Sequence, residues 1–523
     1  MIKLLVMSLV VAISVGAADV GDVFIKKTIL SPQSAWVFSD VEADEHDLGN
    51  QFANTFAKKI KRMKRFDFVQ FDPAVFQPVY ESLHATSTAN IDSVTHALKT
   101  HVLDDIETLI TSDAYKRRRV RAIQQHRGVS FAKTKGKSSA YTVDELSILM
   151  NAIYVYIPYI KSVATTTVEG PNPATVRTIT GGVLWYNVQM SSTGNIDIVL
   201  ADNIERTSTM VLPASMAIES LMDIGIIGSL QSKTIKATKA MPMFTLVSKT
   251  TSVSGRDYTL SLTKDSGANL DDLFFLQEDM DVDGRVKRKT VGIMRIAQSS
   301  QDNWVVGYQH TGSVRDRGGY VIESPRRGFQ LGAGIQQFSE IQAAQILKYA
   351  DGNQVSTLPF KTASGWYASL DYNIGRHFGV SQLFLGVDYS GLALHSAIGD
   401  FNGSGNRVQT YHTRVSKKFW WQRHALRLDI GTGTEWFRLS NNQIKDYELK
   451  LRSMKYGIGY ELMLGSRWLL TATATQSRII RLSKLSYKLN DTRYNYSASD
   501  ANQLGVHYNR GYMTYQWGVR VDF

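Results

Sequence analysis

Four residues in the middle of the chain have the types and spacing of a calcium-binding loop. The opening D-x-D-x-D-G of such a loop is formed by Asp279, Asp281, Asp283 and Gly284. The twelfth position should carry a bidentate Glu, but it is Thr290, and the ninth position is Lys287. The second half of the calcium cage is therefore missing, and the pattern favours an acidic hairpin tip over a metal site. We predict no metal and no other cofactor.

A serine beside a histidine, at His395-Ser396, is a candidate for nucleophilic chemistry, because an imidazole can take the proton of an attacking hydroxyl. In an extended strand adjacent side chains point to opposite faces, so His395 cannot activate Ser396 without an irregular backbone. The chain also lacks a G-x-S-x-G elbow and the HEXXH, Walker A and GxGxxG patterns. We therefore predict that the protein is not an enzyme.

Two runs of basic residues could recognise anions. The first is Lys58, Lys59, Lys61, Arg62, Lys64 and Arg65, and the second is Lys116, Arg117, Arg118, Arg119 and Arg121. Such runs are commonly solvated helix faces. The second run is also a candidate contact surface for phosphate groups or an acidic partner, because Arg makes bidentate contacts with such groups.

Nine charged residues near the end of the chain occupy alternate positions of segments with strand periodicity. They are Asp371, Asp388, Arg427, Asp429, Glu435, Lys455, Glu461, Arg520 and Asp522. If those strands form a narrow closed barrel, the nine side chains point into a lumen that has room only for its own side chains. We expect opposite charges to pair there and close the lumen, with a relay or narrow conducting path as the alternative.

The strand periodicity is clearest in the final segment, YMTYQWGVRVDF. One face carries Tyr515, Trp517, Val519, Val521 and Phe523, and the polar residues between them form the other face. In water such a strand would expose aromatic rings and invite edge pairing, whereas in a membrane barrel its apolar face contacts lipid. A terminal strand of a soluble sandwich is the alternative for this segment taken alone.

Seven further alternating segments precede the final one, beginning at about Arg327, and a phase slip near Ser453 indicates a bulge. Their connections are alternately long and short, as in outer-membrane barrels, which puts both barrel ends on the short-turn side. We expect about eight strands. A ten-stranded version would use parts of Leu485–Tyr496 and Gln503–Asn509.

The terminal Phe523, the apolar face from Tyr515 to Val521 and the eight-segment pattern resemble bacterial outer-membrane β-barrel proteins, in particular the eight-stranded outer-membrane-protein A type. The resemblance implies that the last strand targets the chain to the assembly machinery. It also implies a barrel in the Gram-negative outer membrane, with the preceding region in the periplasm.

The N-terminal part is predicted to be exported and to contain both helices and strands. Met1–Ala18 has the layout of a cleavable secretory signal, and no later segment has the roughly 18 uninterrupted apolar residues of a transmembrane helix. Helical spacing at Phe52, Phe56 and Ile60 alternates with strand-like segments. The predicted fold class is thus α+β followed by all-β, organised as a signal peptide (1–18), a periplasmic α/β domain (19–240), a small β module (241–320) and an antiparallel transmembrane β-barrel (327–523).

The order of these N-terminal elements is similar to that of periplasmic domains in the curli secretion channel and the flagellar assembly protein T. The similarity is carried by LGNQFANTFAKKIKRMKRFDFV, by GGVLWYNV, and in the small module by GRDYTLSL, DDLFFLQE and KRKTVGIMRI. It implies a domain that binds or organises other components of the cell envelope.

Composition narrows the partners of the protein. A net charge of +12 favours binding to nucleic acid, anionic lipid or acidic polymers. Because the chain is predicted to be exported, we expect its partners to be outer-membrane lipid, lipopolysaccharide or another envelope protein, and not nucleic acid. The absence of Cys excludes disulfides and a lipid-modified cysteine. We expect the barrel to anchor a periplasmic domain that binds or organises envelope components. A porin-like channel for small solutes is the alternative, and an outer-membrane lipid hydrolase is the third reading.

Overall fold

The fold is given by a computed structural model. It describes residues 26–32, 34–38, 41, 46–86, 90–115, 117, 152–190, 195–216, 219–263, 266–282, 285–299, 304–313, 319–338, 341–343, 358–396, 407–439, 444–489, 492–497 and 512–523. The predicted signal peptide lies outside these ranges. Within them, no helix combines the length and apolar character needed to cross a bilayer.

The first unit is a mixed β-sheet covered by helices on both faces. Its strands are β1 (Lys27–Ser31), β2 (Trp36–Val37), β3 (Phe66–Gln70), β4 (Ile153–Val168), β5 (Ala174–Met190) and β6 (Ile196–Pro213). Its helices are α1 (His46–Arg62), α2 (Pro73–Ala85), α3 (Ile91–His101), α4 (Leu103–Thr111) and α5 (Glu219–Ala240). The strand order is β3-β1-β4-β5-β6, with β2 beside β4. Strand β1 is parallel to β3 and β4, whereas β4, β5 and β6 form an antiparallel meander.

Each face of this sheet has its own apolar core. The predicted stripe of Phe52, Phe56 and Ile60 lies on α1 and packs with α5 on one face, around Trp185. Helices α2, α3 and α4 cover the other face, where Phe76 is fully buried. The predicted α/β region is therefore confirmed.

Two predicted elements of this unit differ in the structure. The single helix predicted over 91–109 is divided at Val102, which ends α3 and begins α4. Strand β6 continues through the start of the helix predicted over 213–227, because its residues up to Pro213 pair with β5, and α5 begins at Glu219.

The second unit is a closed barrel of six strands with an apolar interior. Its strands are β7 (Val247–Ser254), β8 (Asp257–Thr263), β9 (Leu273–Val282), β10 (Arg285–Ser299), β11 (Trp304–Thr311) and β12 (Tyr320–Ser324), in the ring order β10-β11-β8-β7-β12-β9. Its core is formed by side chains such as Tyr258, Leu260, Phe274 and Met294. We call this unit the small barrel. Its last strand runs to Ser324, beyond the predicted end of the module at 320.

The third unit is a ring of eight long antiparallel strands, which confirms the predicted strand number. The unit contains β13 (Phe329–Phe338), β14 (Ile341–Ala343), β15 (Leu358–Asn373), α6 (Gly375–Phe378), β16 (Leu383–Ser396), β17 (Arg407–Trp421), β18 (His424–Leu439), β19 (Ile444–Met463), β20 (Trp468–Leu489), β21 (Thr492–Tyr496) and β22 (Tyr512–Asp522). Successive strands pair around the ring, and β13 closes it by pairing with both β15 and β22. The short strands β14 and β21 only extend the pairing of β15 and β20. We call this unit the large barrel.

The large barrel has an apolar outer wall. Ile335, Trp366, Ile430 and Ile458 are each at least half exposed on it. The pairing of β19 with β20 shifts register on both sides of Leu451–Arg452, so the bulge predicted near Ser453 is confirmed. The β15–β16, β17–β18 and β19–β20 connections lie together at one end, which we call the short-turn end. Of the segments named for a ten-stranded version, 503–509 lies outside the described residues.

Candidate functional site: the charged lumen and its cap

Alternation along the strands directs polar side chains into the large barrel. In β17 the buried positions include Thr410, His412, Arg414, Ser416 and Lys418, while the residues between them face outward. An eight-stranded ring is only wide enough for its own side chains, so charges on facing strands come into contact.

The larger group of charges occupies the half of the lumen next to the short-turn end. We call it the lower cluster, and it consists of Asp371, Asp388, Arg414, Lys418, Arg427, Asp429, Glu461 and Arg520. Eight of the nine charges predicted to face the lumen do so. Six of them, Asp371, Asp388, Arg427, Asp429, Glu461 and Arg520, belong to this cluster, and Glu435 and Lys455 lie farther along the lumen.

Glu461 is the centre of one half of the lower cluster. Its carboxylate lies 2.6 Å from Lys418 Nζ, 2.9 Å from Arg520 Nη1 and 3.5 Å from Arg427 Nη1. Lys418 also donates to Gln330 Oε1 at 2.7 Å, across the barrel. A single carboxylate thus joins cations that come from three different strands.

Asp371 is the centre of the other half. Arg414 Nη2 lies 2.6 Å from one of its oxygens, and Arg520 Nη1 lies 3.1 Å from the other. Arg414 also pairs with Asp388, and Arg427 donates to Asp429 at 2.7 Å. Because Arg520 contacts both Asp371 and Glu461, the lower cluster is one connected network across the lumen.

A second group, the upper cluster, lies farther from the short-turn end and consists of His412, Glu435, Ser453 and Lys455. His412 Nε2 lies 3.0 Å from Ser453 Oγ and 3.5 Å from Glu435 Oε1. Glu435 is fully buried beside His412. The cavity lined by both clusters has a volume of about 20 Å³, space for about one water molecule.

Sequence reasoning missed Arg414, Lys418 and His412, the inward-facing charges and imidazole of β17. The alternation of this strand is regular in the structure, but Thr413 and Lys417 stand on its outer face, which obscured the apolar pattern. The signal that could have found them is the alternate spacing of His412, Arg414, Ser416 and Lys418 itself.

Asp522 does not join the lumen network predicted for it. Its carboxylate pairs at 2.7 Å with Arg295 of the small barrel. The reason is its position at the last residue of β22, where a side chain on the inner face leaves the lumen and contacts the unit beneath.

The small barrel docks on the short-turn end through several turns at once. Asp271 accepts hydrogen bonds from Asn373 Nδ2 at 2.7 Å, Ser381 Oγ at 2.6 Å and the Gln382 backbone N–H at 2.7 Å. Arg326, in the segment between the two barrels, donates to the carbonyls of Asp522 at 2.8 Å and Ser466 at 3.1 Å. These contacts cover the β15–β16 and β19–β20 turns and the end of the last strand.

An imidazole completes this contact at the β17–β18 turn. His310 Nδ1 lies 3.0 Å from the Gln422 carbonyl oxygen, and the His310 ring meets Trp420 edge-on at 5.0 Å between centroids. The pKa of His310 is lowered to about 3, chiefly by burial and next by the positive charge of Arg295. The ring is therefore neutral at physiological pH. The proton of the neutral ring lies on Nδ1, which donates a hydrogen bond to the Gln422 carbonyl oxygen.

A buried ion pair joins the small barrel to the first unit. Arg65 donates to Glu323 through both terminal nitrogens, at 2.7 and 2.9 Å. Burial raises the pKa of Glu323, but the charge of Arg65 outweighs it and holds that pKa below its usual value. Burial, followed by the charge of Glu323, raises the pKa of the neighbouring Asp272. Arg65, predicted as part of a basic run, is thus a structural contact, whereas Lys58, Lys61, Arg62 and Lys64 are exposed.

The structure gives fewer contacts for the remaining predicted site residues. Arg117 is exposed, and Lys116, Arg118, Arg119 and Arg121 lie outside the described residues. Asp279 pairs with Arg288 at 3.1 Å on adjacent strands, and Asp283 is outside the described ranges. His395 and Ser396 occupy adjacent positions of β16. Across the described residues, no three His, Cys, Asp or Glu side chains are grouped so as to hold a metal ion.

The terminal strand has the predicted orientation. Tyr515, Trp517, Val519 and Phe523 are each more than one third exposed on the outer wall, with Val521 on the same face. Arg327 and Gly328 donate backbone hydrogen bonds to the carbonyl of Phe523, which joins the end of the barrel to its beginning.

Comparison with known proteins gives likenesses of structure only. No family model matches the chain, and no curated protein matches it by sequence. Among solved structures, the outer membrane protein OprG from Pseudomonas aeruginosa is 11% identical, with a TM-score of 0.28, over 38% of this chain and 97% of that one. Neisserial surface protein A is 13% identical, with a TM-score of 0.25, over 38% and 100%. An anion-selective porin from Comamonas acidovorans is 11% identical, with a TM-score of 0.14, over 71% and 99%.

These likenesses concern the fold alone. The architecture itself is plain from the strands: a closed ring of eight antiparallel strands with an apolar outer wall and a polar interior is that of bacterial outer-membrane β-barrel proteins.

Proposed function

We propose that this is an outer-membrane protein whose large barrel is a closed anchor for the two units that precede it. The observation that carries the proposal is the lower cluster, in which Arg520 links Asp371 and Glu461 across the lumen. Docking of the small barrel over the short-turn end supports the same conclusion, because it covers the lumen from that side.

The anchored units are the surface that the protein offers to its surroundings. In outer-membrane barrels the short turns face the periplasm, so the small barrel and the α/β unit lie in the periplasm under this proposal. There they bind or organise envelope components. The candidate contacts are the exposed basic residues of α1 and Arg117, which suit an acidic envelope protein or the phosphates of lipopolysaccharide.

The second candidate function is a channel for small solutes. It would require displacement of the small barrel and rearrangement of the lower cluster, since the cavity among the clusters holds about one water. Swelling of liposomes that contain the full chain separates the two functions. We expect no sugar entry above the rate of protein-free liposomes, and rapid entry would favour the channel.

Orientation is tested by single cysteines, which the natural chain lacks. Arg407→Cys lies at the far end of β17 and Lys58→Cys lies on α1, both at exposed positions. A membrane-impermeant maleimide should label Arg407→Cys in intact cells and Lys58→Cys only after the outer membrane is opened. Labelling of Lys58→Cys in intact cells would overturn the periplasmic placement.

A further inference from the structure

The contact between the two barrels leaves a cavity of about 350 Å³ that the closed anchor does not use. Arg295, Tyr308 and His310 of the small barrel form one side, and Gln382, Lys418 and Trp420 of the large barrel form the other. This volume falls within the range of pockets for small ligands. The cavity adjoins the lower cluster through Lys418, which lines it.

Two buried donors at this cavity have no described hydrogen-bond partner. Arg295 uses Nη2 for Asp522 and Nη1 for the Asp271 carbonyl, while its Nε remains without a partner. Gln382 accepts from Trp420 Nε1 through Oε1 at 2.9 Å, which fixes the amide orientation and leaves Nε2 without a partner. Both residues are more than nine-tenths buried. Unpaired buried donors are costly, so an acceptor that reached them would stabilise the contact between the barrels.

Acidic residues at the cavity do not satisfy these donors. The Asp271 carboxylate is already engaged by Asn373, Ser381 and the Gln382 backbone. Asp257 also lines the cavity but is exposed at its edge. These two carboxylates are therefore not the acceptors of the unpaired donors.

Backbone strain is concentrated at the same place. The described non-glycine residues with positive φ are Asp271 at 68°, Gln382 at 56° and Gln422 at 54°. All three lie in the contact between the barrels, where Asp271 binds Gln382 and Gln422 binds His310. Such conformations cost of order 1 kcal/mol or more each and occur preferentially at functional sites and ligand clamps.

The cavity opens beside the outer wall of the large barrel. Phe419 lines the cavity and is half exposed on that wall, with the Lys417 ammonium 5.4 Å from its ring. Trp421, Trp468 and Phe523 are also exposed near the short-turn end. Aromatic side chains on the outer wall mark the level of lipid head groups in membrane barrels. The cavity mouth thus lies where a head group could enter from the membrane.

We propose that this cavity binds a phosphate-bearing group, held by Arg295 Nε and Gln382 Nε2 with Lys417 and Lys418 nearby. The guanidinium of Arg favours phosphate because it presents its donors in a planar fork. The source is either the head group of a phospholipid or a soluble phosphate ester. The lipid source rests on the proposed membrane placement, whereas the phosphate site does not.

The test uses the full chain in a non-phosphorylated detergent, after removal of endogenous lipid, with calorimetric titration of two probes. Dihexanoyl-phosphatidylglycerol below its micelle concentration represents the lipid, and glycerol phosphate represents a soluble ester. Arg295→Lys keeps the charge opposite Asp522 but removes Nε, and Gln382→Glu replaces the unpaired donor by an acceptor. Arg288→Lys, on the exposed face of β10, is the matched control.

We expect saturable binding that both cavity variants weaken by roughly tenfold or more, since each removes a hydrogen bond to a charged group, and that Arg288→Lys leaves unchanged. Binding of the lipid alone would identify a lipid site, and binding of both probes would identify a general phosphate site. Failure of both probes to bind the unmodified protein at millimolar concentration would overturn the proposal. So would binding that both cavity variants, shown to be folded by gel mobility without heating, leave intact.

Discussion

The two closed barrels of this chain are built with opposite polarity. The small barrel places Phe274, Leu276 and Met294 inside and polar residues outside. The large barrel places Asp371, Arg427 and Glu461 inside and residues such as Ile335 and Ile458 outside. Both rings close by the same antiparallel pairing, so the surroundings of the outer wall, water or lipid, decide which residues face which way.

The difference also shows how each interior is held together. Apolar side chains in the small barrel need only fill space, because burial of apolar surface is not directional. Charges in the large barrel must meet partners of opposite sign, since an unpaired charge in a dry interior is strongly destabilising. The large barrel should therefore be more sensitive to loss of a single interior charge than to changes on its wall.

The largest effect is expected from breaking the lower cluster. Glu461→Gln leaves Lys418, Arg427 and Arg520 without their shared carboxylate and should lower the free energy of unfolding by about 3–5 kcal/mol. The matched control is Glu448→Gln, because Glu448 pairs with the half-exposed Lys484 at 3.9 Å. It should lose less than about 1 kcal/mol. Urea unfolding in lipid vesicles measures both, and equal losses would contradict the network.

A smaller effect is expected on the outer wall. Val519→Arg puts a charge where the structure has an exposed apolar side chain and should destabilise the barrel by about 2–4 kcal/mol if the residue lies near the bilayer midplane. Val519→Leu keeps the apolar face and should be nearly neutral. Removal of Phe523 should separately reduce the amount of barrel in the membrane fraction. Normal membrane levels of both Val519→Arg and the truncated chain would argue against a lipid-facing terminal strand.

The smallest effect concerns the contact between the barrels. The pKa of His310 is lowered to about 3 in the folded protein, whereas it is about 6.5 in the unfolded chain. The stability that the neutral, buried imidazole contributes is therefore fully present above about pH 6.5. It is lost as pH falls from about 6.5 towards 3, by about 2 kcal/mol at pH 5. His310→Asn should flatten this part of the stability–pH curve. An unchanged slope in the variant would show that other groups set the acid response.

Most of the large barrel could be predicted from sequence because lipid imposes a period of two on the outer wall, as in Phe329–Ile335 and the terminal strand. The sequence of β17 shows this period less clearly, since Lys417 and Thr413 interrupt the apolar residues of its outer face. Its inward residues Arg414 and Lys418 were missed for that reason. The helix break at Val102 and the extension of β6 depend on packing and pairing that no local pattern reveals.

The contacts between units could not be predicted at all. Arg65 meets Glu323, and Arg295 meets Asp522, across separations of 258 and 227 residues, and nothing in the sequence near either residue indicates its partner. Alternation placed Asp522 correctly on the inner face of β22. It could not show that this face ends at the small barrel.

The central claim is that the large barrel is closed, and single-channel recording of the full chain in a planar bilayer tests it most directly. The unmodified protein should give no stable open events, because the lower cluster fills the lumen and the small barrel covers its short-turn end. Arg414→Ala combined with Arg520→Ala removes the cations that bridge Asp371, Asp388 and Glu461, and it should produce fluctuating currents. Large, stable currents from the unmodified protein would contradict the closed anchor and favour a solute channel.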